Sequence, residues 1–166
     1  MSESAIIKGM RRLGLLWLLA CSLAAHAEAI TLDPDWQESE APAPPVFRAD
    51  KLLPLEMPPY VSLKFGVDPA SLAITPDGIV RYVVVASNSG GSVSAFYEGI
   101  RCATGEVKVY ARATGPGSWT SVKEAKWRGL NDNQPSKHAL VFARQGACVG
   151  ATAVGSVAEL IRAMNK

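Results

Sequence analysis

Val80 to Ala111, "VRYVVVASNSGGSVSAFYEGIRCATGEVKVYA", is the stretch that decides the fold. Three runs rich in β-branched and aromatic residues are separated by "NSGG" and by Thr104-Gly105. Such runs, bounded by turn residues, predict strands joined by tight hairpins. Upstream, Asp77-Gly78 stands between "SLAIT" and "IVRYVVV", a further hairpin signal. The pattern predicts a four-strand antiparallel meander. Two-residue loops set its register: Ile74 faces Arg81, Leu72 faces Val83, Val83 meets Phe96, Ile79 meets Ile100, Ile100 meets Val109 and Cys102 meets Val107.

Side chains alternate between the two faces of a sheet, so the register assigns each residue a side. One face is expected to carry Ile79, Val83, Val85, Phe96, Ile100, Cys102, Val107 and Val109, and to be the core. Arg81 falls opposite Glu98, the one carboxylate on that face, and the two form a candidate structural ion pair. A buried carboxylate can also serve as an acid or base. The opposite face gathers Tyr82, Tyr97, Arg101, Lys108, Tyr110 and Arg112, with Gly99 leaving a dip beside Tyr110. Aromatics interleaved with cations make this the candidate ligand face for an anionic polymer or an acidic peptide. The alternative is a face roofed by the proline-rich arm or by Trp119 and Trp127.

Downstream, "SWTSVKEAKWRGL" offers one or two more short strands. "SKHALVFARQGAC" reads as a short helix with Ser136 as cap and Gly146 as stop. "GSVAELIRAMNK" reads as a second helix, with Ser156 and Glu159 as a capping box and Val157, Leu160, Ile161 and Met164 as an apolar stripe. The fold class expected is α+β, mainly β: an antiparallel meander with one or two C-terminal helices packed on the core face.

The N-terminus supplies the compartment. Lys8, Arg11 and Arg12 precede the apolar run "LGLLWLLACSLAA", and "AHA" precedes Glu28. This is the pattern of a secretory signal peptide cleaved after Ala27, giving a periplasmic or exported protein. The alternative is a lipobox, "LLAC", with lipidation at Cys21 and membrane anchoring. Residues 28–59 carry seven prolines and read as an extended arm, with Trp36 as an anchor or an exposed aromatic. Residues 60–166 read as a single domain. Without residues 1–27 the chain has 14 basic residues (17 less Lys8, Arg11 and Arg12) and 14 acidic ones (15 less Glu3). A formally neutral chain gives no electrostatic case for nucleic acid, or for a membrane unless Cys21 is lipidated.

Cys102 and Cys148 remain, and an even pair in an exported chain is read first as a disulfide. A metal site is not expected: His138 is the sole histidine beyond the leader, and no C-x-x-C spacing occurs. No cofactor signature is present. Gly-rich phosphate loops and serine-elbow motifs are absent, and "GSVSAF" lies within a strand. His138 is given a packing or surface role.

Asp35-Trp36, "DPASL" (68–72), "VRYV" (80–83), "YEGIRC" (97–102), Tyr110-Ala111, the two tryptophans and Cys148 together carry a resemblance. The chain resembles the CNP-one-like domain family of uncharacterised proteobacterial envelope proteins over nearly its whole mature length. The resemblance implies an exported single domain and brings no catalytic residues. The expected function is therefore a small envelope binding or accessory module, whose partner is another envelope protein or a cell-wall component. The alternatives are a purely structural envelope protein, lipid-anchored or not, and an unrecognised hydrolase.

Overall fold

The computed structural model describes residues 32–115 and 117–166; Cys21 and Ala27, where lipidation and cleavage were expected, lie outside the described residues. The chain builds an antiparallel sheet of eight strands: β1 (Leu53–Pro54), β2 (Lys64–Val67), β3 (Ala73–Ile74), β4 (Ile79–Ser87), β5 (Val93–Arg101), β6 (Glu106–Ala113), β7 (Trp119–Ser121) and β8 (Arg128–Gly129). The expected meander is its centre, in the order β4-β5-β6. β1 and β2 extend the sheet beyond β4, and β7 and β8 both pair with β6. Leu53–Pro54 belongs to the proline-rich arm, yet it forms a strand because it sits on the sheet edge, where proline's missing N–H costs no ladder bond.

β2 and β3 pair with opposite ends of β4, and the "DPASL" segment joins them. It completes the edge between them. The Asp68 N–H donates to the Val83 carbonyl at 3.0 Å, and the Val83 N–H donates to the Ser71 hydroxyl at 2.8 Å. The main-chain gap between two short strands is thus satisfied by one turn.

The registers differ from those expected, and the loops give the reason. Thr75 and Asn88 each begin a three-residue loop rather than a two-residue one, closed by Thr75 N–H to Ile79 O (2.9 Å) and Asn88 N–H to Ser92 O (3.2 Å). Gly78 (φ 80°) and Gly91 (φ 82°) take the left-handed position that such loops require. One extra loop residue slides each pairing by one: Ala73 meets Arg81, Ile74 meets Val80, Arg81 meets Gly99, Val83 meets Tyr97 and Ile79 meets Arg101. The β5–β6 loop is longer by two, so Ile100 meets Val107 and face parity is kept there. A bulge at Tyr97/Glu98 then shifts the far end of β6.

β5 and the start of β6 therefore face as expected, while β4 is turned over. One core joins Val80, Tyr82 and Val84 of β4 to Ile100, Cys102 and Val107. It is covered by α1 (His138–Phe142) and α2 (Val157–Met164), which contribute Phe142, Leu160 and Met164. Burying Phe142 and Leu160 stabilises the fold by about 2 kcal/mol each. The second core, on the other side of the sheet, holds Val83, Val85, Tyr97 and Ala111 under Phe47 of the arm.

The helices follow local chemistry. The Ser156 hydroxyl accepts from the Glu159 N–H at 3.2 Å, so the expected cap of α2 forms. The expected Ser136 cap of α1 does not form: Lys137 holds the N-cap position without a side-chain capping bond, and the helix runs into a wider turn over Ala143–Ala147. Beyond it Cys148 bonds Cys102, with Cα atoms 5.6 Å apart. The bridge ties the end of β5 to the helical segment across a separation of 46 residues.

Candidate functional site

Glu98 is the centre of the buried polar chemistry. It lies on β5 beside the bulge, 2% exposed, and faces the helices. The slide of β4 removes Arg81 from its reach and places Tyr82 directly opposite. The expected Arg81–Glu98 ion pair does not form. The Tyr82 hydroxyl donates to Glu98 Oε2 at 2.7 Å, and His138 Nε2 lies 3.0 Å from both carboxylate oxygens. His138 Nδ1 lies 2.6 Å from the Ser136 hydroxyl. The imidazole is stacked with Phe65 at 5.1 Å and with Phe96 at 6.0 Å.

Burial works against a charged His138, but the Glu98 carboxylate, by its charge and its hydrogen bond, carries the histidine's pKa above the ordinary value. Burial, then the charge of Glu98 and its hydrogen bond, push the Tyr82 phenol well above its ordinary value. When the imidazole carries its second proton the group is an ion pair, and the Tyr82 phenol stays neutral beside it. In that state both ring nitrogens donate, Nε2–H to Glu98 and Nδ1–H to the Ser136 hydroxyl.

Arg81 instead serves the arm. Its guanidinium donates to the carbonyls of Ser39 (2.6 Å) and Glu40 (3.2 Å) and lies 3.9 Å from Asp77. The expected ligand face is broken up and roofed. Tyr82 is on the helix side, fully buried with its ring 4.4 Å from Phe142. Tyr97 stays on the arm side, 2% exposed, and pairs with Ala111. Tyr110 is the extra residue of the bulge. Its ring occupies the dip expected at Gly99, where an added Cβ would stand 2.7 Å from the Tyr110 hydroxyl oxygen.

The roof is the arm. The Arg101 guanidinium lies 3.5 Å from the centre of the Trp36 ring, so Trp36 is an anchor. Trp36 donates its indole N–H to the Asp77 carbonyl at 2.8 Å. Glu38 receives Lys108 at 2.7 Å, Tyr110 at 2.8 Å and Trp127 at 3.1 Å. Phe47 meets Trp119 edge-on at 5.6 Å. Arm residues themselves, Trp36 and Glu38 among them, line the depressions left on this side. Of the six residues of the candidate face, Arg112 alone stands free on the helix side, its guanidinium 5.9 Å from the Phe96 ring centre. The bulge that displaces β6 put it there.

The helix side is not fully closed. A cleft of about 270 Å³ is lined by Leu63, Phe65, Phe96, Pro135 and Ser136, with Asn88, Ser92 and Ser94 at its polar edge. A second, of about 260 Å³, runs from Phe96 past Glu98, His138 and Ser136 to Gln134 and Arg112. Phe96, Pro135 and Ser136 line both, so the two form one groove over the Glu98–His138 pair. The sequence singled out Glu98 but missed His138 and Ser136 as its neighbours. The one available signal was that His138 is the sole histidine of the described chain.

Among the described residues no group of three or more His, Cys, Asp or Glu side chains could hold a metal ion. None of the described helices is long and apolar enough to cross a membrane. Neither a curated protein nor a solved structure matches the chain at a significant level. A family model does match, over residues 31–165, which takes in the arm, the whole sheet, both helices and both bonded cysteines. The chain belongs to the CNP1-like family.

Proposed function

We propose that this is an exported envelope protein that acts as a small binding or accessory module through the groove beside Phe96 and Ser136. Export, with cleavage after Ala27, rests on the charged leader, its apolar run and the "AHA" site. The Cys102–Cys148 bridge is in keeping with an oxidising compartment. The observation that carries the binding reading is an asymmetry. The protein's own arm fills one sheet face, whereas the groove on the other exposes apolar floor, with Leu63 at 39% exposure, beside converging polar groups. The groove is tested with immobilised protein and an envelope extract. Wild type retains a component that Ser94→Arg, which fills the groove, releases. Equal retention by both, or by neither, overturns the reading.

A hydrolase reading has one observation in its favour: Ser136, His138 and Glu98 lie in hydrogen-bonded sequence. Against it, His138 is buried, its ring stacked between Phe65 and Phe96. A fluorophosphonate probe separates the two. The binding reading expects no adduct at Ser136, and a labelled Ser136 would establish a nucleophile.

A further inference from the structure

Beyond Arg112 the groove meets a third cleft, of about 280 Å³, with Gln134, Pro135 and Arg112 shared between them. Pro135 lines all three clefts, so they meet around one residue. The third differs in kind. Arg112, Lys123, Lys126 and Arg128 line it, against a single acid, Glu124. Among the described residues none of these four cations has a carboxylate within 4.0 Å. None donates a side-chain hydrogen bond within the described chain either.

This is unusual for the molecule. Residues 32–166 hold 14 basic side chains (17 less Lys8, Arg11 and Arg12) and 13 acidic ones (15 less Glu3 and Glu28), so the chain is close to neutral. Arg81 and Lys108 engage the arm, Arg101 lies over Trp36 and Arg48 pairs with Asp50, while Lys51, Lys64, Arg144 and Arg162 have no carboxylate within 4.0 Å among the described residues but line none of the three clefts. Four unpaired cations around one concavity create a local positive potential that the rest of the chain does not cancel. The floor between them is apolar, made by Val107, Val109 and Val122.

The geometry points to a single-chain amphiphilic anion as the occupant: a carboxylate or phosphate headgroup at Arg112, Lys123, Lys126 and Arg128, and an alkyl chain laid past Pro135 toward Phe96, Phe65 and Leu63. The inference rests on the groove being a binding site and names what it takes. The cationic end alone would suit any small anion, and the apolar end alone any hydrophobe. Their junction at Pro135 selects a ligand that carries both. Arg112 lines both the charged and the middle cleft and stacks on Phe96, so it marks where head passes into tail.

Calorimetry with the purified protein tests this, below the micellar concentration of each probe. Dodecanoate should bind; octanoate should bind at least about tenfold more weakly, since each buried CH₂ adds to the transfer free energy. Inorganic phosphate and the neutral dodecyl maltoside should both bind more weakly than dodecanoate. Lys126→Gln with Arg128→Gln should weaken dodecanoate about tenfold and flatten the salt dependence. Leu63→Ser should weaken dodecanoate but leave phosphate unchanged. Both substitutions fall on exposed side chains, and unchanged circular dichroism will show that the variants fold. Equal affinity for phosphate and dodecanoate overturns the proposal, leaving a plain anion site. Binding to phosphatidylglycerol vesicles but not to dodecanoate also overturns it, in favour of a membrane surface. If no probe binds while the envelope component is still retained in a Ser94-dependent way, the occupant is wrong and the binding module stands.

Discussion

The two faces of the central sheet are both covered, but by different means. On the arm side the cover is the extended segment 36–47, which forms no helix or strand and is held by contacts that are mostly polar or aromatic: Glu38 with its three donors, Trp36 on Arg101, and Arg81 bonded to arm carbonyls. On the helix side the cover is two short helices, held by apolar packing, one disulfide and a buried ion pair. An extended strap can follow the sheet closely, so it fills the face that the aromatics define. Helices stand further off and meet the sheet along stripes, and the groove opens beside α1, between the sheet and residues 134–136. The difference explains why the face richest in tyrosine and cations is closed by the arm while the helix side keeps a groove.

The comparison is broken most severely by removing the bridge. Cys102→Ala with Cys148→Ala should lower stability by about 4 kcal/mol, from the loop entropy released across 46 residues. Denaturant unfolding measures it, and the loss should fall on the helix side, exposing Tyr82 while Tyr97 stays protected.

Glu98→Gln comes next, at about 2 kcal/mol below pH 6.5, where His138 is charged and loses its partner in a buried site. The pH dependence gives the sign. Folding raises the His138 pKa above its ordinary 6.5. The stability gained is full below 6.5 and is lost as pH climbs through the raised folded value. Wild type should therefore weaken as pH rises from 6.5 through that value, and Glu98→Gln should be nearly flat over the same span. Melting curves across that range decide it.

The smallest effect belongs to the arm. Glu38→Gln should cost about 1 kcal/mol, since its donors are partly exposed and water can replace the lost acceptor. Hydrogen exchange should show the loss confined to the arm and β6.

What the sequence made legible follows from where its signals are local. The Ser156 cap and the stripe of α2 are set within one turn, and the outcome agrees. The facing of β5 and early β6 followed from Phe96, Ile100, Cys102 and Val107, which alternate with Gly99, Arg101 and Lys108. β4 gave no such guide. In "IVRYVVVA" both parities are apolar, because both faces of that strand are buried, so its side was left to loop length. Loop length was then decided by Gly78 and Gly91 at left-handed φ, a choice that "DG" and "GG" do not reveal by themselves. The partner of Glu98 was beyond reach for a related reason: His138 is 40 residues away and meets it only after α1 packs. Glu38 carries no local pattern at all. Its role follows from Lys108, Tyr110 and Trp127 converging in space.

The central claim is that the protein's own arm closes the tyrosine face, and tyrosine nitration of the native protein read by peptide mass spectrometry tests it most directly. The sequence has four tyrosines. Tyr60 is 83% exposed, Tyr82 and Tyr97 are buried, and Tyr110 is half-buried with its hydroxyl bonded to Glu38. Nitration is expected at Tyr60 alone, with Tyr97 and Tyr110 becoming reactive only on unfolding or removal of the arm. Ready nitration of Tyr97 and Tyr110 in the intact native protein, with Tyr82 still protected, would contradict it and return that face to solvent.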